Sequence, residues 1–273
     1  MNARRFRATL AYDGTGFAGF QRQAAGTPSI QEAVEAAIAE ATGQRATVTG
    51  AGRTDAGVHA EGQVIAFDVA WSHRDEALRN AINARLPDAV ALQDIRQQEG
   101  FHPRFDAVTR VYRYTVYQSP APQPLLRHRV WWVPQPLNGQ ALHDGAALIP
   151  GERDFAALGK APHGDNTVRR VLQSEWDCAL AGSGLLWTYT IEANAFLQHM
   201  VRRTVSALVH MGRGWLTADV FRDALQRAEL LALPLAPPQG LVLAQVTYDE
   251  SRWSSTGGAA GNHEQAGNIP AGG

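Results

Sequence analysis

The sequence predicts an α+β protein built of two units whose sheets join, with a cleft where they meet. Three observations carry that expectation. Strand-type and helix-type periodicities alternate through residues 7–95, the alternation restarts at Arg110 and continues to Tyr248, and the connections are of both short-turn and crossover type. The expected organisation is an N-terminal half over residues 1–108, a C-terminal half over 109–250 and a disordered tail over 251–273.

In order, residues 7–12 alternate apolar and polar side chains and predict a strand. Thr27, Pro28 and Ser29 make a helix start, and Ile30, Val34, Ile38 and Ala41 recur at helical spacing up to Gly43. Residues 47–49 and 63–69 are rich in β-formers, with a glycine-bearing loop between them. A helix over 74–86 places Leu78, Ile82 and Leu86 on one face and stops at Pro87, and a strand over 89–95 follows. The first half therefore reads β-α-β-α-β.

From Arg110 a strand runs through Tyr112, Tyr114 and Val116, then a proline-rich connection over 119–136, a helix over 137–149 and a loop. Strands at 168–178 and 185–193, helices at 196–211 and 217–226, and a last strand at 240–248 complete the second half. After Asp249 the chain turns to Ser, Gly, Ala, Asn and Pro, a composition that cannot build a core.

Composition narrows the function. With 273 residues and 45% of them from the hydrophobic set, the chain can bury a large core without staples. Its single cysteine, Cys178, excludes an intramolecular disulfide and a Cys-cluster metal site, and the default location is the cytoplasm. No apolar run reaches the ~20 residues that span a bilayer. Asp13 follows Arg4, Arg5 and Arg7 too closely for the apolar stretch of a secretory signal.

The net charge of −1 gives no bulk reason to expect nucleic acid. The distribution differs. Residues 96–129 hold six arginines against Glu99 and Asp106, and residues 196–215 hold three arginines and two histidines with no acid. Locally basic surface of this kind binds phosphates even on a neutral protein.

Two glycine-bearing segments stand out. Gly14 to Gly19 satisfies the dinucleotide fingerprint and would suit a nucleotide-cofactor enzyme. The helix that should follow the third glycine begins only at Pro28, and the acidic residue expected after the next strand is missing, so a tight turn beside a site is the better reading. The second segment, Gly52-Arg53-Thr54-Asp55-Ala56-Gly57-Val58-His59-Ala60, packs a carboxylate, a guanidinium and an imidazole into one loop. No second histidine stands at ligand spacing and no Ser-His-Asp arrangement exists, so metal hydrolysis and triad chemistry fall away. What remains is a carboxylate acting as nucleophile or base.

That loop resembles the active-site loop of the tRNA pseudouridine synthase A family. So do Tyr12-Asp13-Gly14 through Phe17, Gly19, Gln21 and Gln23; Phe101-His102 with Arg104-Phe105; Tyr112-Arg113-Tyr114; and Asn194-Ala195-Phe196 leading to His199-Met200-Val201-Arg202. The resemblance spans residues 6–249. It implies two halves of the ferredoxin-like type with joined mixed or antiparallel sheets around a central active-site cleft. It also implies isomerisation of uridine to pseudouridine at positions 38–40 of the tRNA anticodon stem-loop, with no cofactor and no metal, in a homodimer.

Residue by residue, the resemblance makes Asp55 the catalytic carboxylate and Arg202 its ion-pair partner. Arg53 would fill the space left by a flipped base, Tyr112 would stack on that base, and Leu241 would line the far side of the uracil pocket. Arg104, Arg110, Arg169 and Arg170 would contact phosphates. Phe20 stands where tryptophan is common in the family. The alternative from another class is a tRNA-binding protein that has kept the cleft and lost turnover.

Overall fold

The computed structural model describes residues 2–24 and 26–254. Strand β1 (Arg4–Tyr12) buries Phe6, Ala8, Leu10 and Tyr12 on one face. Helix α1 (Ile30–Thr42) begins where the Ser29 side chain accepts from the Glu32 N–H, ends at left-handed Gly43, and buries Ile30, Val34, Ala37 and Ile38. Short β2 (Thr49–Gly50) and long β3 (His59–Val69) flank the Asp55 loop. Helix α2 (Asp75–Asn83) turns Leu78 and Ile82 inward. It stops three residues before the predicted end because the Asn83 amide is committed to the Leu92 backbone of β4 (Val90–Gln97), accepting at 2.8 Å and donating at 2.9 Å.

The second half holds β5 (Ala107–Gln118), β6 (Trp131–Val133), α3 (Gly139–Ala147), β7 (Gly151–Asp154), β8 (Val168–Ala181) and β9 (Gly184–Ala193). It continues with α4 (Met200–Gly212), α5 (Ala218–Arg227) and β10 (Leu241–Tyr248). All strands share one ten-stranded sheet in the order β4-β1-β3-β10-β5-β9-β8-β7, with β2 on β3 and β6 on β5. Every pairing is antiparallel except β10 with β3 and β5 with β6.

The last strand is the seam. β10 pairs antiparallel with β5 and parallel with β3, placing Val242 opposite His59 and Leu243 opposite Ala60. Since His59 lies four residues after Asp55, the loop before β3 emerges where the two halves meet.

Some elements differ from the sequence reading. β3 starts at His59 rather than residue 63, because Gly62 lies against the Ala244 backbone of β10 so closely that a side chain would not fit. Long-range pairing sets that boundary, not local propensity. α4 starts at Met200 rather than residue 196, because His199 is left-handed, with φ of 63°, and breaks the helical path. β6 and β7 hide in a proline-rich connection and a loop, too short to show a period. Residues 251–254, expected to open the tail, form a helical turn, α6 (Ser251–Ser254), whose Trp253 ring meets Phe101 edge-on; residues 255–273 lie outside the described residues.

Candidate active site

The Asp55 loop is held from behind by the Gly14–Gly19 segment. Phe20 N–H donates to the Thr54 carbonyl at 3.1 Å, and Gly57 N–H to the Phe17 carbonyl at 3.3 Å. Gly19 has φ of 96° and sits against the Thr54 carbonyl, and a side chain on Gly14 would run into the Val58 carbonyl. The glycines that mimic a dinucleotide fingerprint thus serve close backbone approach to the neighbouring loop. Below, buried Tyr12 and Thr54 share a hydroxyl hydrogen bond of 2.8 Å, and Gln63 donates to the Gly52 carbonyl at 2.8 Å.

Buried His59 fixes the loop's far end. Its Nδ1 accepts from Gly14 N–H at 3.0 Å, and its Nε2 lies 3.1 Å from the Gln239 carbonyl, so neutral imidazole with the proton on Nε2 satisfies both. Burial, followed by the Arg129 guanidinium, pushes the His59 pKa down, with Asp13 opposing.

Asp55 faces a cleft of about 1110 Å³. Arg202, in the first turn of α4, donates from Nη1 to Asp55 Oδ2 at 2.8 Å and from Nε to the Ala236 carbonyl at 2.8 Å. His199 Nε2 lies 3.6 Å from the same Oδ2. Asp55 Oδ1 has no hydrogen bond among the described residues. The Asp55 side chain is 32% exposed and that of Arg202 13%, so the carboxylate opens to the cleft while its partner is sheltered.

Tyr112 and Leu241 line the same cleft and are both buried. The Tyr112 ring meets Phe196 edge-on, with centroids 5.0 Å apart and planes at 86°. Burial pushes its phenol up to about 12, Arg110 acting the other way and Asp55 adding to the rise, so the hydroxyl stays neutral. Arg53 is exposed at the cleft and makes no hydrogen bond or ion pair among the described residues.

The four arginines expected on phosphates separate. Arg104 is exposed on the cleft wall, and Arg169 lines the cleft with its Nη1 on the Asn166 and Val168 carbonyls. Arg170 does not line it, because successive strand side chains point to opposite faces and Arg169 takes the cleft side. Arg110 is turned onto backbone: its Nη atoms donate to the carbonyls of Ala107, Asn194, Ala51 and Arg104 at 2.7 to 3.3 Å. Donors spent on four carbonyls tie three loops together, although Arg110, expected on a phosphate, still lines the cleft. Burial, and then nearby Arg104, lowers its pKa.

Among the described residues the cleft is lined by five arginines and one carboxylate, that of Asp55. The near-neutral chain therefore concentrates positive charge around that carboxylate. His199 and Phe196 escape a search for catalytic motifs, since a left-handed histidine and an edge-on phenylalanine leave no periodic signal; only their place in the Asn194–Arg202 run marks them.

A sequence profile described as tRNA pseudouridine synthase matches residues 8–106 and 146–249. The tRNA pseudouridine synthase A of Neisseria gonorrhoeae (strain NCCP11945) is 39% identical over 247 residues, covering 89% of this chain and 92% of the relative. That of Pseudothermotoga lettingae is 38% identical over 248 residues, covering 90% and 100%. That of Sinorhizobium fredii is 36% identical over 249 residues, covering 89% and 99%.

Proposed function

The chain belongs to the tRNA pseudouridine synthase family and is an isomerase that converts uridine to pseudouridine in tRNA, and from that premise we propose that it acts at positions 38–40 of the anticodon stem-loop with Asp55 as the reacting carboxylate. One observation carries the proposal. Both cations near Asp55 approach Oδ2, Oδ1 makes no hydrogen bond among the described residues, and Asp55 lines the cleft.

The reaction breaks the C1′–N1 bond, turns the uracil over and joins C1′ to C5. The C5 hydrogen leaves as a proton and N1 gains one, so the product is an isomer and no redox partner is required. An ionised carboxylate beneath the nucleotide can attack or take a proton from one face. Arginine suits the partner role because it stays protonated and grips the carboxylate geometrically.

A stem uridine must leave its stack, at a cost of a few kcal/mol. Stacking on the Tyr112 ring, worth roughly 1–3 kcal/mol, offsets much of it, and Arg53, free at the cleft, enters the vacated space. Leu241 closes the apolar side of the uracil pocket. Arg104 and Arg169 meet phosphates.

A homodimer with RNA crossing both subunits, and a cytoplasmic location, rest on the family resemblance. No described helix is long and apolar enough to cross a membrane. The reading is tested by incubating the purified protein with unmodified tRNA and mapping pseudouridine. Modification at 38–40 supports it, and modification elsewhere or none opposes it.

A further inference from the structure

The rim of the cleft carries an aromatic group that the chemistry above does not use. Phe105 is 76% exposed, although it stands on a loop pinned on every side. His102 N–H donates to Asp106 Oδ2 at 2.7 Å, and His102 Nδ1 accepts from both Arg104 and Phe105 N–H at 3.2 Å. Asp106 Oδ1 is paired with Arg252 at 3.0 Å, the Arg104 carbonyl with Arg110 at 2.7 Å, and the Pro103 carbonyl with the Tyr248 hydroxyl at 2.8 Å. A loop this constrained holds its phenylalanine outward rather than letting it fold in.

The His102 ring lies against Phe105, with centroids 4.2 Å apart and planes at 30°, and the Arg104 guanidinium carbon lies 6.0 Å from the Phe105 centroid. The ring lines the same cleft as Asp55, on a wall whose charged side chains are arginines. A pre-positioned aromatic backed by an imidazole and flanked by a guanidinium matches a nucleobase with its phosphate: a π-face for the base, a cation for the backbone.

We propose that Phe105 is a stacking platform for a nucleobase next to the uridine taken into the cleft. The platform rests on the reading of the cleft as an RNA site. It gives the enzyme a hold on the strand separate from Tyr112, which is buried deeper beside Asp55.

The test combines Phe105→Leu with RNA stem-loops carrying a single abasic nucleotide at each of the two positions on either side of the target. On intact RNA the variant should raise KM about tenfold, the loss falling in KM rather than kcat, and Phe105→Tyr should restore it. One abasic RNA should raise the wild-type KM by a similar factor, and on that RNA Phe105→Leu should cost nothing further. An unchanged KM for Phe105→Leu, or losses that multiply at every abasic position, would overturn the platform. Wild-type turnover of intact RNA is the separate check on the isomerase reading: its absence defeats that reading, whereas its presence with an indifferent Phe105 defeats only the platform.

Discussion

Arg202 holds Asp55 through one oxygen only: Nη1 bonds Oδ2 at 2.8 Å while Nε is anchored on the Ala236 carbonyl, and Oδ1 makes no hydrogen bond among the described residues. The guanidinium is therefore a bridge between the chain before β10 and the loop before β3, and it fixes the direction of the carboxylate as well as its charge environment.

Lysine cannot make both bonds from one position. Arg202→Lys should keep a cation nearby yet lower kcat by about 100-fold, the order expected when a reacting group is misplaced by an ångström. Steady-state kinetics on a stem-loop substrate check this, and an unchanged kcat would mean that charge alone suffices.

Arg110 and Arg104 should part company in salt titrations. Arg104→Gln should reduce the slope of log affinity against log salt by about 0.7 to 0.9, as one lost phosphate contact does. Arg110→Gln should leave that slope in place and instead lower the melting temperature, because four carbonyls lose a shared donor. A reduced slope for Arg110→Gln would return it to the phosphate-binding set.

Tyr112→Phe keeps the ring and its edge-on contact with Phe196, so kcat/KM should stay within a few-fold. Tyr112→Leu removes the stack and should cost roughly 10- to 100-fold, in line with a stacking contribution of 1–3 kcal/mol. Equal losses would place the role in the hydroxyl.

Burial of His59 gives the fold a pH dependence. Its folded pKa lies below the usual 6.5, chiefly through burial and then Arg129, so the unfolded chain binds more protons in the window beneath that value. The stability linked to neutral His59 is complete above about pH 6.5 and is lost as pH falls through the folded pKa. Urea midpoints measured from pH 7.5 to 5 should fall more steeply for the wild type than for His59→Gln, with Asp13 and Arg129 unchanged in both. Parallel curves would contradict this.

The main strands and helices were legible because their apolar periods are long enough to read, as in the Ile30, Val34 and Ile38 face of α1. The Asp55 loop was legible as a dense cluster of chemical groups. The Asp55–Arg202 pairing was not, since the two stand 147 residues apart and only the family resemblance joined them. The surroundings of Arg110 and Arg170 were illegible for different reasons. No sequence pattern distinguishes a guanidinium turned onto carbonyls from one facing solvent, whereas the period of two along β8 could have assigned Arg169 and Arg170 to opposite faces.

The most direct measurement is tritium release from tRNA labelled at uracil C5, comparing wild type with Asp55→Ala and measuring RNA affinity alongside. Wild type should release the label without an added cofactor, and Asp55→Ala should release none while binding RNA within a few-fold of wild type. Continued release by Asp55→Ala would contradict the assignment of the reacting carboxylate to residue 55.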